Sequence, residues 1–207
     1  MDKIELNTFL RNTFLENNNE KNLEKYIMSE ISYPYEDYEN AVHILSDNLD
    51  IINDQKLLFI GSYLSSYCFI RDNIFLQTLN KNIENYSDAN KSIIYYLNAI
   101  HIASITNNRE TDKNYINYLK KSVALSSEIK FVNNRRYLAI VSNKKTALKL
   151  MEQALNNIVK VYSKSELIAE KDTSLPNSEN FINEFILGTH ITHVIFDDLK
   201  EKLEKYK

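Results

Sequence analysis

The stretch Lys56-Leu57-Leu58-Phe59-Ile60-Gly61-Ser62-Tyr63-Leu64 decides the fold, because it opens a segment of apolar and small residues from about Gln55 to Ile70. No charged residue follows Lys56 within that segment. A helix that is apolar on nearly all sides must be covered by other elements. The sequence therefore predicts a central helix here, with further helices packed around it.

Helical periodicity extends in both directions from this segment. Pro34 has no N–H group and restricts the backbone of Tyr33, so a break between helices is expected there. The stripe of the opening helix, spaced i, i+3, i+4 and i+8, comprises Leu6, Phe9, Leu10 and Phe14. The predicted helix pairs cover residues 4–31, 36–70, 73–106, 112–127, 143–170 and 178–206.

Two parts of the chain resemble each other at a period of about 35 residues. A shift of 34 superimposes Leu45 and Leu49 on Leu79 and Ile83, and a shift of 36 superimposes Leu58 and Leu64 on Ile94 and Ile100. Such a period favours helix-hairpin repeats, although similar helix pairs in any bundle give comparable matches. The sequence therefore predicts an all-α fold of antiparallel helix pairs, stacked as an irregular bundle or a short α-solenoid.

Glycine and proline are too few to divide the chain. With two of each and no linker-like stretch, we expect one helical domain over residues 1–207. One segment is ambiguous, because β-branched residues flank Asn133-Asn134 between residues 129 and 141. It is predicted either as a small β-hairpin or as a further helix.

Common catalytic motifs are absent from the sequence. Gly61 and Gly188 are its only glycines, which excludes the glycine-rich phosphate loops and the nucleophile elbow. The single cysteine, Cys68, lies in the apolar segment and is interpreted as a small hydrophobic residue. The sequence therefore predicts no cofactor and no enzymatic activity.

The feature closest to a metal site is the set His190, His193 and Asp197, spaced i, i+3 and i+7. This spacing can direct two imidazoles and a carboxylate from one helix face. A complete site would need ligands from other helices, such as His43 and His101. The favoured interpretation is that His193 packs in the apolar stripe and His190 lies at its edge.

Charge is distributed unevenly along a chain whose formal net charge is −3. Between Tyr26 and Gln55 there are seven acidic residues and no Lys or Arg, whereas between Arg109 and Lys149 ten basic residues accompany three acids. The acidic stretch is also rich in tyrosine. The chain is therefore expected to be electrically polarised, with a different partner possible at each end.

The acidic, tyrosine-rich stretch is interpreted as a docking surface for a basic protein, the alternative being an ordinary solvated helix face. Tyr35, Asp37, Tyr38 and Glu39 are the expected anchors. The candidate partner-binding residues are Tyr33, Tyr35, Glu36, Asp37, Tyr38, Glu39, Asp47, Asp50 and Asp54. Nucleic-acid binding at the basic segment around Arg135 and Arg136 is disfavoured, because the chain is acidic overall and has no nucleic-acid motif.

The amino terminus predicts the compartment. Residues 1–5 lack the features of a secretory signal, and every apolar run is too short to span a bilayer. A cytoplasmic location and no membrane partner are therefore expected.

Three runs of sequence resemble the helical-repeat immunity proteins of bacterial polymorphic-toxin systems of the contact-dependent-inhibition type. They are KLLFIGSYL at 56–64, NIFLQTLN at 73–80 and KSIIYYLNA at 91–99, and the resemblance covers about residues 40–105. It implies non-enzymatic neutralisation of a cognate toxin by tight binding in the cytoplasm, with no catalytic residues. The alternatives are a helical-repeat regulatory module that binds a peptide or protein, and a metal-dependent helical-bundle enzyme.

Overall fold

Short polar side chains mark where the helices of this protein begin. In the computed structural model, which describes residues 2–32, 34–106, 112–125 and 177–182, the side chain of an Asp, Asn or Ser accepts a hydrogen bond from the first turn of each of the first six helices. The helices are α1 (Lys3–Glu16), α2 (Glu20–Glu30), α3 (Tyr38–Asp47), α4 (Gln55–Tyr67), α5 (Ile74–Lys81), α6 (Asp88–Ile105), α7 (Lys113–Leu125) and α8 (Ser178–Phe181). The capping residues of α1 to α6 are Asp2, Asn19, Asp37, Asp54, Asn73 and Ser87.

The all-α prediction is confirmed, since the residues that the structure describes form helices and turns without a strand. The ambiguous segment 129–141 and the predicted pair 143–170 lie outside the described residues, as does most of 178–206. The extent of one domain over the whole chain therefore stays a prediction.

Consecutive helices pack as antiparallel pairs. Asn7, early in α1, donates from Nδ2 to Ser29 Oγ at the end of α2, at 2.9 Å. Ser122, late in α7, donates to the carbonyl of Ser92 early in α6, at 2.8 Å, and Ser92 Oγ donates back to the Ser122 carbonyl. These polar contacts connect the two helices of each pair and satisfy side chains that are buried between them.

Helix α4 lies at the centre of the described structure and packs against α3, α5, α6 and α8. Its buried apolar residues are Leu57, Leu58, Phe59, Ile60 and Leu64. The expected central helix is therefore found. It is shorter than expected, however, because it ends at Tyr67 rather than near Ile70.

At Gly61, α4 comes into close contact with a side chain of its neighbour α5. A Cβ atom built at Gly61 would lie 2.8 Å from ring carbons of Phe75, whose side chain is fully buried. This distance is too short for a non-bonded contact, so the glycine is required by packing. The backbone at Gly61 does not itself require glycine, because its φ angle lies outside the left-handed region.

One predicted core residue is on the surface. Leu10 and Phe14 of α1 are buried, but Phe9 is 56% exposed. Successive residues are about 100° apart around a helix, so Phe9 lies at the edge of the predicted stripe. Because α1 packs chiefly against α2, only the narrower face carrying Leu10 and Phe14 is covered.

We predict that Gly61→Ala destabilises the protein by about 1–3 kcal/mol, although alanine in place of glycine ordinarily stabilises a helix by about 1 kcal/mol. The added methyl group must displace the Phe75 ring. Urea denaturation followed by circular dichroism measures the change. In a Phe75→Leu background the same alanine should cost less, and a stabilising effect of Gly61→Ala alone would contradict the assignment.

Candidate functional site: an acidic aromatic cleft

A cleft of about 330 Å³ lies between the start of α3 and the end of α4. The antiparallel packing of these two helices brings the two ends together. We call this feature the α3–α4 cleft. Its lining residues are Glu36, Asp37, Tyr38, Glu39, Tyr67, Cys68 and Phe69.

The loop between α2 and α3 forms the acidic side of the cleft. Glu36 has a left-handed backbone, with φ 46°, and Asp37 N–H donates to the carbonyl of Glu30 at 3.0 Å. Asp37 then caps α3, since its Oδ1 accepts from Asn40 N–H at 3.0 Å. The loop is thus fixed at its end by backbone and side-chain hydrogen bonds.

A buried carboxylate anchors this side of the cleft to the neighbouring helices. Glu30 is almost fully buried, and its two oxygens accept from Asn7 Nδ2 of α1 at 3.1 Å and Asn40 Nδ2 of α3 at 3.2 Å. A buried carboxylate is tolerated only when such donors satisfy it. Glu30 therefore joins three helices and positions the start of α3.

The other side of the cleft is an unusual helix end. Phe69 N–H donates to the Ser66 carbonyl at 3.2 Å and Ile70 N–H donates to the Ser65 carbonyl at 2.8 Å, which is the hydrogen-bond pattern of a Schellman motif. The residue at the turn of that motif has a left-handed backbone and is usually glycine. Here it is Phe69, with φ 58° and 68% of its surface exposed.

Aromatic side chains form a connected row along the cleft. The rings of Tyr38 and Tyr67 are edge to face with centroids 5.2 Å apart, and Tyr67 also stacks on Tyr63 at 6.5 Å. Tyr63 in turn contacts Phe181 of α8 at 6.1 Å. These contacts hold Tyr67 in place, yet 59% of its surface remains exposed.

The negative charge of the cleft comes from three exposed carboxylates, those of Glu36, Asp37 and Glu39. None of them forms an ion pair with a residue that the structure describes. Burial, and then Glu39 and Asp37, raise the pKa of the Cys68 thiol. Burial, and then Glu36, raise the pKa of Tyr38. Both shifts favour the neutral forms, which disfavours Cys68 as a nucleophile because the thiolate is the reactive form.

The structure divides the sequence-predicted contact residues into two groups. Glu36, Asp37, Tyr38 and Glu39 lie together in the α3–α4 cleft, and Tyr35, 37% exposed, precedes them without lining it. The remaining acids lie at the far end of α3 or after it, about 15 Å away along the helix axis. They are Asp47, Asp50 and Asp54. Tyr33 lies outside the described residues.

A second, smaller cleft of about 160 Å³ lies near that opposite end, between the first turns of α2 and α4. Its lining carries both acidic and basic side chains, and several of them contact neighbouring residues. Glu20 accepts from the backbone N–H groups of Asn53 and Asp54, while Lys56 and Glu179 form an ion pair at 3.6 Å. Ser178 also donates to Glu24. These contacts dock α8 and leave little charge to attract a ligand.

Sequence reasoning missed Tyr67, Cys68 and Phe69 as lining residues. They were expected inside the central helix, but Cys68 is only half-buried and Phe69 points outward. The available signal is Arg71-Asp72 followed by Asn73, a charged pair and a helix cap that require a turn shortly before them. Without a glycine, nothing in the sequence marks the residue at which the helix ends.

Metal coordination receives no support from the described part of the chain, where no group of three potential ligands is found. His101 is hydrogen-bonded to the Arg71 carbonyl at 3.2 Å, and burial lowers its pKa. His43 is exposed on α3. The candidates His190, His193 and Asp197 lie outside the described residues. No helix in the described ranges is long and apolar enough to cross a bilayer.

Comparison of the chain with family models, curated proteins and solved structures gives no match. The resemblance of residues 40–105 to immunity proteins therefore stays a prediction from the three runs that carry it. The geometry of the α3–α4 cleft is the basis for inferring a function.

We predict that Phe69→Gly stabilises the fold by about 1 kcal/mol, because glycine adopts the left-handed backbone without the steric cost that phenylalanine incurs. Thermal unfolding measures the effect. The matched control is Cys68→Gly at the preceding residue, whose φ is −81°. That substitution should destabilise the protein. An equal loss of thermal stability in both variants would contradict the prediction and would mean that the Phe69 ring supports the fold.

Proposed function

We propose that the protein is a non-enzymatic binding protein that captures a basic protein partner in the α3–α4 cleft, and that this partner is a bacterial toxin which it neutralises. One observation carries the proposal. Three carboxylates that no described residue neutralises share a cleft with two strongly exposed aromatic rings, Tyr67 and Phe69.

The shape and composition of the cleft support a protein partner. Exposed aromatic side chains supply a large contact area at a low cost in conformational entropy, and they are enriched among the residues that contribute most to protein interfaces. Burial raises the pKa of the Cys68 thiol and of the Tyr38 phenol, which disfavours their anionic forms as nucleophiles.

The charge of the surface supports a basic partner. The stretch from Tyr26 to Gln55 contributes three acids to the cleft at the start of α3 and contains no Lys or Arg. Such a one-sign surface attracts an oppositely charged protein during its approach and disfavours acidic competitors. The aromatic rings in the cleft would then supply the short-range contacts.

The identity of the partner as a toxin rests on the resemblance of residues 40–105 to immunity proteins. That family acts in the cytoplasm by tight binding and needs no catalytic residue. A protein with an acidic, aromatic contact surface is suited to blocking the active site of a basic toxin. A cytoplasmic location is part of the same proposal.

A helical-repeat module that binds a linear peptide is the second candidate. It is favoured by the order of elements, because α3 and α4 are joined through a 3₁₀ turn beginning at Leu49, and α5 and α6 through one beginning at Ile83. Stacked units of this kind form elongated binding surfaces. This candidate expects a short extended ligand in place of a folded toxin.

The proposal is tested by retention of a partner from lysate of the native cells, with mass spectrometry and a salt series. The tagged wild-type chain should retain a protein with a basic domain in stoichiometric amount. Co-expression of the chain should then restore growth to cells that produce that domain. Retention of short peptides alone, or no rescue of growth, would contradict neutralisation of a toxin.

We predict that Glu36→Lys combined with Glu39→Lys lowers the association rate for this partner about tenfold at low salt, and that the difference shrinks as salt is added. Both side chains are exposed, so the fold should persist. Surface plasmon resonance provides the rates.

The control for this experiment is Asp47→Lys combined with Asp50→Lys, which makes the same change in net charge at the far end of α3. It should alter the association rate much less. An equal effect of the two double variants would mean that the partner responds to overall charge, and the cleft would lose its assigned role.

A further inference from the structure

We propose that the group of the partner that enters the α3–α4 cleft is an arginine side chain, bound through its planar guanidinium against the exposed aromatic rings and the three carboxylates. This inference rests on the proposed function, which requires only a basic protein. It specifies the chemistry by which the cleft distinguishes one basic side chain from another.

The aromatic side of the cleft offers a fixed surface for stacking. Tyr67 is held by Tyr38 at 5.2 Å and by Tyr63 at 6.5 Å, and more than half of its surface remains open. Phe69 is held by the backbone of the helix end and is exposed to a greater degree. A guanidinium stacks on such rings, whereas an ammonium group is compact and more strongly hydrated.

The acidic side of the cleft offers acceptors for a planar donor. Glu36 and Glu39 make no side-chain hydrogen bond with a described residue, and Asp37 uses only Oδ1 in capping α3. A guanidinium presents five N–H donors in a fixed plane and can bind carboxylates in a bidentate manner. An arginine could therefore meet the rings with its face and the carboxylates with its edge.

A second tyrosine pair in the same molecule provides a contrast. Tyr95 of α6 and Tyr118 of α7 stack at 6.1 Å, and the ammonium group of Lys121 lies 5.2 Å from the first ring and 5.9 Å from the second. That pair already has a cation from its own chain. The pair Tyr38 and Tyr67 has none among the described residues, although carboxylates surround it. We assign the cation for this pair to the partner.

The inference is tested with two blocked tripeptides, tri-arginine and tri-lysine, titrated into the full chain at low salt and followed by NMR chemical shifts. Because the peptides carry equal charge, electrostatic attraction alone would give equal affinities. We expect tri-arginine to bind about tenfold more tightly than tri-lysine. Equal affinities, or no binding of tri-arginine, would overturn the inference.

Three variants locate the preference. Tyr67→Leu keeps an apolar side chain but removes the ring, and it should abolish the difference between the two peptides. Tyr67→Phe keeps the ring and should preserve the difference in affinity between the two peptides. Tyr95→Leu changes the other tyrosine pair, Tyr95 and Tyr118, and should also preserve the difference in affinity. A preference that survives Tyr67→Leu would overturn the assignment to this cleft.

Failure of this inference can be told apart from failure of the proposed function. If the chain retains a basic partner but shows no preference for arginine, the inference fails while the proposed function stands. If arginine is preferred and Tyr67→Leu removes the preference, but no partner is retained from lysate, the proposed function fails and the chemistry of the cleft stands.

Discussion

The burial of α4 on nearly all of its sides is the constraint on which the described structure depends. Its apolar surface requires neighbours in several directions, and α3, α5, α6 and α8 supply them. At Gly61 the requirement is steric, because the Phe75 ring occupies the space of a side chain. The antiparallel pairing of α3 with α4 follows from the same need for cover, and it brings the start of one helix to the end of the other.

The α3–α4 cleft exists where that cover stops. The helix ends at Tyr67 and the chain turns at Phe69, so these two aromatic side chains remain exposed. A phenylalanine at a left-handed helix end is unfavourable for the fold in two respects, through backbone strain and through exposure. Glu36, on the opposite side, also has a left-handed backbone. Unfavourable features that collect around one cleft are typical of a site retained for binding.

The sequence was sufficient to predict the elements of the fold because each has a local signal. Each helix from α1 to α6 has apolar residues at the helical period and follows a short polar capping residue. The break near Pro34 follows from the chemistry of proline. The acidic half of the cleft was also predictable, since Glu36, Asp37, Tyr38 and Glu39 are adjacent in sequence. The aromatic half was not. Tyr67 and Phe69 look like core residues until the end of α4 is known, and that end depends on a backbone conformation that phenylalanine rarely adopts.

The two tyrosine pairs show how one type of contact can serve packing in one place and recognition in another. Between α6 and α7 the rings stack beside a lysine of the same chain, and reciprocal serine hydrogen bonds hold the helices together. Between α3 and α4 the rings meet edge to face, carboxylates replace the lysine, and much of Tyr67 is left uncovered. A pair that served packing alone would gain from a neighbouring cation and from burial, because both strengthen the contact. The exposure of Tyr67 and the lack of a neighbouring cation among the described residues, at a position fixed by Glu30 and by the helix end, fit a surface that is completed by a partner.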